Sequence, residues 1–600
     1  MERSPTERNC SMTDIGCSPT MDRKPTLDPE RAISAYLGAA IGDALGWPFE
    51  GRAQERLKPD EWNGGFLSWK KRSGNRFAPT WEQVGAGEYS DDTQLILAVS
   101  RSRICSMRWW DYFATVELPF WTCYERGGGG ATKRAASSWL AGVAPWDSTA
   151  KDVATRYFAA GGNGAAMRIL PHCVVHANSE DFETLAIDVL TDAVITHGHP
   201  RALVGSLGFA YVLWSALRRK GILEYGELIQ RCIDNASVWG KLPDISQRWP
   251  TWQISAEARD PDFIEFWEST TDELIRLLER VSYGLSAGAL SDDESILRDV
   301  GALTPKTNGA GTTTAASAIY LASRYAASPA EGVRRAASTA GADTDTLASM
   351  TASVLGAVNG QEWLEPLSRS LQDREYIRRT AEQMAFKKTH NLEYRPVERR
   401  TIAEFVTFLG EGTPESIPPL PIRGRVVEVI RPSTSVTSNE ARAIRWKLLT
   451  DVGLSLFVRP GALPKKKSDP EQDTDSAGDE STLSAESVPT IGISLRVLNL
   501  EESRDFYERC LGLRVTGESA KSIRFGSTLA LREDKFEPTS GGQLRLFVNV
   551  ADVDICFELM LRAGFDCSTI VSRGKGRSFE CRDPDAYVVE VFERTVKGQR

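Results

Sequence analysis

The sequence predicts a multidomain chain with a large all-α bundle, a small β-rich connector and a compact α+β module. Three observations lead there. Apolar residues recur at three- and four-residue spacing from residue 28 to residue 388, with little strand-like alternation. A β-branched texture begins near Pro418. Beyond an acidic stretch, short alternating runs and two helical segments repeat the order βαβββ within about 105 residues.

Residues 1–27 carry charges, prolines and serines without the apolar segment of a secretory signal, so a disordered leader is expected. The bundle, 28–388, takes its helices from segments such as 31–45, 93–102, 182–195, 202–217, 271–285 and 346–358. The connector, 389–464, contains Arg425–Ile430 and a hairpin that turns at Asp451-Val452-Gly453. Residues 465–487 form an acidic flexible linker: Ser468 to Ser487 holds seven acidic and no basic residues and cannot bury a core. The last module spans 488–596. Its strands are expected near 491–497, 522–525, 527–532, 544–548, 577–581 and 587–592, its helices near 500–510 and 553–563.

Composition narrows the function classes. With 41% hydrophobic and 26% charged residues, the chain is neither wholly disordered nor fibrous. A net charge of -9 argues against a basic nucleic-acid footprint. No run of 18 or more apolar residues predicts a membrane helix. Ten cysteines without CxxC spacing suit reduced thiols, and a cytoplasmic location is expected.

Two acidic clusters stand at the mouths of apolar helices: Ser90-Asp91-Asp92-Thr93 and Asp343-Thr344-Asp345-Thr346. Helix capping explains either one alone, because Ser and Asp accept orphan backbone N–H bonds and complement the helix dipole. Two such clusters shift the balance. Adjacent carboxylates repel, and a dipole offsets only about 0.3–1 kcal/mol per charge. A hard divalent cation removes that repulsion, and oxygen-only ligands suit Mg²⁺ or Mn²⁺ rather than Zn²⁺.

These clusters occur in order with Leu37-Gly38-Ala39-Ala40-Ile41-Gly42-Asp43-Ala44-Leu45-Gly46, Glu50, Gly162-Asn163-Gly164-Ala165-Ala166-Met167-Arg168 and Thr196-His197. Together the motifs resemble the ADP-ribosylglycohydrolase family over about residues 32–360. The resemblance implies an all-α fold, two Mg²⁺ or Mn²⁺ ions, and hydrolysis of a glycosidic bond at the anomeric carbon of ADP-ribose. It implies Ser90, Asp91, Asp92, Asp343, Asp345 and Thr346 as metal ligands, with Glu50 beside the centre. Gly162, Asn163, Gly164, Ala165 and Met167 would line the diphosphate path, and His197 would contact the ribose. Either Asp345 or Asp92 would take the proton of the attacking water. Ala342 and Ala165 depart from the family's usual Gly and occasional Ser, and neither change removes a carboxylate.

Plainer readings stand beside these. Glu50 is equally a surface carboxylate after a proline. Gly38, Gly42 and Gly46 allow close helix packing without chemistry. His197 starts a helix as readily as it binds substrate, Arg168 pairs with some carboxylate, and Gly127–Gly130 is as much a turn as a phosphate loop.

Leu495-Arg496-Val497, Phe506-Tyr507-Glu508, Leu511-Gly512-Leu513, Arg582-Asp583-Pro584-Asp585 and Val588-Val589-Glu590 resemble the glyoxalase/bleomycin-resistance (vicinal oxygen chelate) superfamily. Its metal-using members place His at two strand starts, where this chain carries Gly492 and about Arg545; Glu590 alone remains. All five histidines precede residue 391, so a His-containing metal centre is excluded here. Ligand binding, a structural role or dimerisation is expected of the module. The expected partner of the whole chain is an ADP-ribosylated protein or another ADP-ribose conjugate, with no membrane and with nucleic acid only as a modified substrate. Two alternatives stay open: a catalytically silent ADP-ribose-binding scaffold, and a small-molecule binder acting through the last module.

Overall fold

The computed structural model describes residues 27–50, 62–74, 79–148, 151–221, 223–286, 288, 292–411, 417, 419–430, 445–458, 493–497, 499–511, 513, 515–519, 522–525, 529–533, 545–550, 552–562, 565, 567–573, 576–583 and 588–594. The expected leader, apart from Leu27, and the expected acidic linker lie outside the described residues. The chain divides into two compact units, Met1–Ser468 and Asp469–Arg600.

The first unit is mostly helical. Helix α1 (Pro29–Gly46) starts with Pro at its first position, and Asp28 accepts the Glu30 backbone N–H at 3.1 Å. Every residue from Ala32 to Gly46 is buried. A helix that is apolar or small all round must lie inside the fold. Around it run α2 (Asp91–Cys105), α3 (Gly130–Leu140), α4 (Pro200–Arg218), α5 (Phe263–Ser286), α6 (Gly311–Arg324), α7 (Thr344–Asn359) and α8 (Arg374–Ala385), with further helices between them and the helix Arg399–Glu411 after them. Helix α5 is an outer helix; it buries Phe263, Trp267, Thr270, Leu274, Leu278 and Val281 along one stripe.

Helices α1 and α7 form the central pair, antiparallel and in near backbone contact. A Cβ on Gly38 would lie 2.4 Å from Ala352 O, one on Gly42 2.2 Å from Ala348 O, and one on Gly46 2.1 Å from Thr344 O. From the other side, a Cβ on Gly356 would lie 2.2 Å from Ser34 O. No side chain fits at these crossings, so the four-residue glycine spacing fixes the register of the pair. Gly205 of α4 meets Gly311 of α6 in the same way, 2.5 Å from its carbonyl oxygen.

The helical region also contains a hairpin that the sequence did not announce. Strands β1 (Trp69–Gly74) and β2 (Pro79–Val84) pair antiparallel from Trp69↔Val84 to Gly74↔Pro79. Lys70-Lys71-Arg72 breaks any apolar alternation, which is why the strand signal is weak.

Strands β3 (Val426–Ile430), β4 (Trp446–Thr450) and β5 (Ser455–Val458) form an antiparallel sheet in the order β3-β4-β5. Leu448, Leu454, Leu456 and Val458 join the core of the helical elements. Asp373, which precedes α8 with φ 56°, accepts bonds from the Ser455 N–H (2.9 Å), the Ser455 hydroxyl (2.6 Å) and the Tyr89 hydroxyl (2.7 Å). Arg445 and Arg126 share the buried Glu82 carboxylate. The sheet is thereby tied to the segment that leads into α2.

The second unit shows the βαβββ order twice. The first repeat is β6 (Ile493–Val497), α9 (Leu500–Arg504, widening into π-type turns through Cys510), β7 (Val515–Ser519), β8 (Ser522–Phe525) and β9 (Leu529–Glu533). The second is β10 (Arg545–Asn549), α10 (Val553–Arg562), β11 (Val571–Arg573), β12 (Gly576–Arg582) and β13 (Val588–Arg594). Each repeat makes one four-stranded sheet, β6-β9-β8-β7 and β10-β13-β12-β11, whose first strand runs parallel to its last. Phe506, Tyr507, Leu531, Met560, Phe579 and Val591 share one core. Among the described residues no helix is long and apolar enough to cross a membrane.

Candidate metal and substrate site

The antiparallel register carries the last turn of α1 to the first turn of α7. The Thr344 hydroxyl donates to Gly46 O at 2.9 Å and pins that junction. Asp43, one turn earlier, is fully buried and points the other way, toward the start of α2. Its carboxylate accepts the Ser90 N–H at 3.0 Å, the Thr93 N–H at 2.9 Å and the Thr93 hydroxyl at 2.6 Å. One carboxylate thus satisfies two orphan donors of a helix N-terminus. Burial pushes the Asp43 carboxyl up against the pull of these bonds.

Ser90 is the N-cap of α2 and accepts the Asp92 N–H at 3.3 Å. The two following carboxylates are left for other purposes. Asp92 Oδ2 accepts the Thr346 hydroxyl at 3.2 Å, while Asp92 Oδ1 is buried without a hydrogen-bond partner. Asp91 Oδ1 faces Gly127, where a Cβ would stand 2.9 Å from it. At the first cluster Ser90 does cap, whereas at the second the capping explanation fails. Asp343 occupies the N-cap position of α7, yet its side chain makes no capping bond. It accepts the Asn163 amide at 2.9 Å instead. Asp345 Oδ1 accepts the Thr346 N–H at 2.8 Å.

Glu50 follows the short turn Trp47–Phe49 that ends α1. One oxygen from each of Glu50, Asp343 and Asp345 lies within 4.8 Å of the others. Glu50 is exposed as a residue, but its carboxyl end is crowded. Desolvation there, followed by the Asp343 charge, pushes its pKa up to about 7. Burial, then neighbouring carboxylates, raises Asp91, Asp92 and Asp345 well above the usual range. A buried acceptor with no donor, beside three converging carboxylates, is short of positive charge. Hard oxygen donors of this kind fit Mg²⁺ or Mn²⁺.

The small-residue segment lies against the same place. Gly162 bridges Ala310, and the Asn163 N–H donates to Gly309 O at 2.9 Å. Ala165 and Met167 are buried, with Met167 Sδ 4.0 Å from the Thr346 hydroxyl oxygen. His197 is buried beside this segment: a Cβ on Gly164 would lie 3.4 Å from its Nε2, and one on Gly162 3.9 Å. Burial and then the Arg168 charge lower the His197 pKa to about 3, so its ring is neutral. Among the expected residues, Glu50, Asp343 and Asp345 converge, Asp92 and Thr346 touch, and Asp91 and Ser90 face the Gly127 side. Gly162, Asn163, Gly164 and His197 form the wall next to Asp343.

Asp43 and Lys71 received no role from the sequence. Asp43 lay inside a quoted motif, but its partners are about fifty residues away in sequence. Lys71 of β1 lies with Nζ 4.8 Å from the centre of the Trp47 ring, and burial lowers its pKa. Arg168 was expected to pair with a carboxylate and does so with Asp192 at 3.1 Å, but it also donates to Gly164 O at 2.6 Å. The Gly127–Gly130 stretch leads into α3, and the Gly128 N–H donates to Glu125 at 3.1 Å.

Comparison with known proteins bears on both units. The sequence model described as ADP-ribosylglycohydrolase matches residues 23–394. That of the glyoxalase/bleomycin resistance protein/dioxygenase superfamily matches residues 491–591. The chain is 28% identical over 172 residues to the ADP-ribosyl-[dinitrogen reductase] glycohydrolase of Rhodospirillum rubrum, over 28% of this chain and 52% of that protein. It therefore spans about half the length of that curated relative. Among solved structures, an ADP-ribosylglycohydrolase-related protein complex is 21% identical over 60% of this chain and 99% of its own, with a TM-score of 0.38. The fosfomycin resistance protein FosX of Listeria monocytogenes is 20% identical over 19% of this chain and 98% of its own, with a TM-score of 0.17.

Proposed function

The chain belongs to the ADP-ribosylglycohydrolase family, and from that premise we propose that its helical unit removes ADP-ribose from a conjugate by hydrolysis at the anomeric carbon. The observation that supports this reading most is the unpartnered Asp92 Oδ1 beside the converging oxygens of Glu50, Asp343 and Asp345. Ser90, Asp91, Asp92, Asp343, Asp345 and Thr346 would hold two Mg²⁺ or Mn²⁺ ions. When bound, such a pair supplies Lewis acidity toward water and sugar oxygens.

The chain's own groups do the rest. Asn163 holds Asp343 through its amide and keeps the second cluster in place. Glu50, with a pKa near neutrality, is suited to exchange a proton at the reacting centre at pH 7. Asp92 and Asp345 are the other candidates for that proton. Gly162 and Gly164 carry no side chain and let an anionic group of the substrate approach the backbone closely. His197, neutral, contributes a hydrogen bond rather than a charge. The test is ADP-ribose release from arginine-, serine- and nucleic-acid-linked conjugates with Mg²⁺ or Mn²⁺, comparing wild type with Asp345→Ala. Metal-dependent release lost in the variant supports the proposal. Equal, metal-independent release in both overturns the mechanism, and binding of ADP-ribose without release from any linkage favours a scaffold.

A further inference from the structure

We propose that Thr196 and Arg168 are positioning residues that lock His197 as the Nε2–H tautomer, so that its ring donates a hydrogen bond to a substrate oxygen. The inference rests on the hydrolase reading above and names how one wall of that site recognises its ligand. The argument begins at Thr196, which is 1% exposed. Its hydroxyl oxygen receives the Arg168 Nη2–H at 2.9 Å and lies 2.7 Å from His197 Nδ1. Arg168 is itself immobilised, donating to Asp192 Oδ1 (3.1 Å), Asp192 O (3.0 Å) and Gly164 O (2.6 Å). A guanidinium only donates, so Thr196 must accept from it.

The hydroxyl proton then needs an acceptor. If His197 carried its proton on Nδ1, Thr196 would accept twice, and its own O–H would be buried with no acceptor among the described residues. An unsatisfied buried donor is disfavoured. If Nδ1 is bare, the O–H donates to it, and both the Thr196 hydroxyl and Nδ1 are satisfied. The neutral ring then carries its proton on Nε2, the atom on the side of Gly162 and Gly164. No hydrogen bond joins Nε2 to protein among the described residues, so its partner is an oxygen of the bound ligand. The same Arg168 fixes Gly164 O, which couples the backbone wall and the histidine in one assembly. Arg168 also adds a positive charge beside the ring, and this opposes an imidazolium. His197 therefore serves neither as a general acid nor as a base.

The experiment uses the full chain, whose five histidines give a simple ¹⁵N spectrum. Wild type should show His197 with a protonated Nε2 and a bare Nδ1, and this reading needs no activity. Thr196→Val, equal in shape but without the hydroxyl, should give mixed tautomers and raise KM about tenfold, with kcat within about threefold. Thr196→Ser should restore both. If Thr196→Val does not fold, the wild-type spectrum and Arg168→Lys, which keeps the charge but not the fork, still decide the matter. A protonated Nδ1 in wild type, or an unchanged tautomer and KM in Thr196→Val, overturns the relay. Absence of hydrolysis in wild type with the Nε2–H tautomer present would instead overturn the proposed function and leave the relay standing.

Discussion

The substitution Asp345→Asn should reverse its stability rank against wild type between metal-free and metal-loaded conditions. Asp345 is buried, and its carboxylate lies within 4.8 Å of oxygens of Glu50 and Asp343. Two full charges at that separation repel by about 3.5 kcal/mol at an effective dielectric of about 20. Proton uptake relieves part of this, since Glu50 holds its proton up to about pH 7. Water reaching the exposed Glu50 screens more of it. Removing one charge should therefore stabilise the metal-free chain by about 1–2 kcal/mol. The amide introduced by the substitution keeps an oxygen that accepts the Thr346 N–H, so no new orphan donor arises on the backbone. Adding Mg²⁺ at about 100 times its Kd should stabilise wild type by about 2.7 kcal/mol, and the variant, with affinity about 100-fold lower, by about 0.4 kcal/mol. Calorimetric unfolding in EDTA and in MgCl₂ reads both quantities. A variant that is less stable than wild type in EDTA, and that retains the wild-type Mg²⁺ shift, would refute the reasoning.

Other outcomes follow from the same contacts. Asp43→Asn keeps one acceptor but turns an amide toward the Thr93 N–H and hydroxyl; denaturant unfolding should show a loss of about 2–4 kcal/mol, with a smaller Mg²⁺ shift. Gly42→Ala should destabilise by about 1–3 kcal/mol or more, although Ala is favoured over Gly in a helix by about 1 kcal/mol, because its Cβ would stand 2.2 Å from Ala348 O; a rise in Tm would contradict the backbone contact. His172 accepts from Arg103 at Nδ1 (2.6 Å) and donates to Asp192 from Nε2 (3.0 Å), and burial holds its pKa below the usual value. Its folded pKa is depressed, so its contribution is complete above about pH 6.5 and is lost as pH falls below that value toward the folded pKa, at up to about 1.4 kcal/mol per pH unit. In His172→Gln the stability slope between about pH 6.5 and 5 should flatten by one proton.

How much of this was legible depended on the range of the interaction. The two acidic helix mouths showed in the sequence because hydroxyls and carboxylates precede apolar runs directly. The repeated βαβββ order was legible for the same local reason, although β7 and β11 were missed; Val515–Ser519 and Val571–Arg573 are short and mostly polar. The β1–β2 hairpin escaped because its lysines and arginine mask a period of two. Asp43 escaped for a different reason. It sits among small apolar residues in α1, and nothing local says that its partners are Ser90 and Thr93. The glycines of α1 were read as packing or as chemistry, and the sequence had no means to choose.

The structure removes that choice, because the packing is what places the chemistry. Each step of four residues along α1, from Ser34 through Gly38 and Gly42 to Gly46, is matched by a step of four back along α7, from Gly356 through Ala352 and Ala348 to Thr344. A slip of one turn, about 5.4 Å, would set Gly42 rather than Gly46 at the Thr344 carbonyl. It would also carry Glu50 away from Asp343 and Asp345 by more than their present separation, and it would break the bond from the Thr344 hydroxyl to Gly46 O. Asp43 would move with α1 and drag the first turn of α2 with it, together with Asp91 and Asp92. Backbone contact at the glycines leaves no side-chain layer to absorb such a shift. Carboxylates about 250 residues apart in sequence are thus held in one place by side-chain-free positions that themselves touch no ligand, and a methyl group at any of those crossings should be felt as a change in metal affinity.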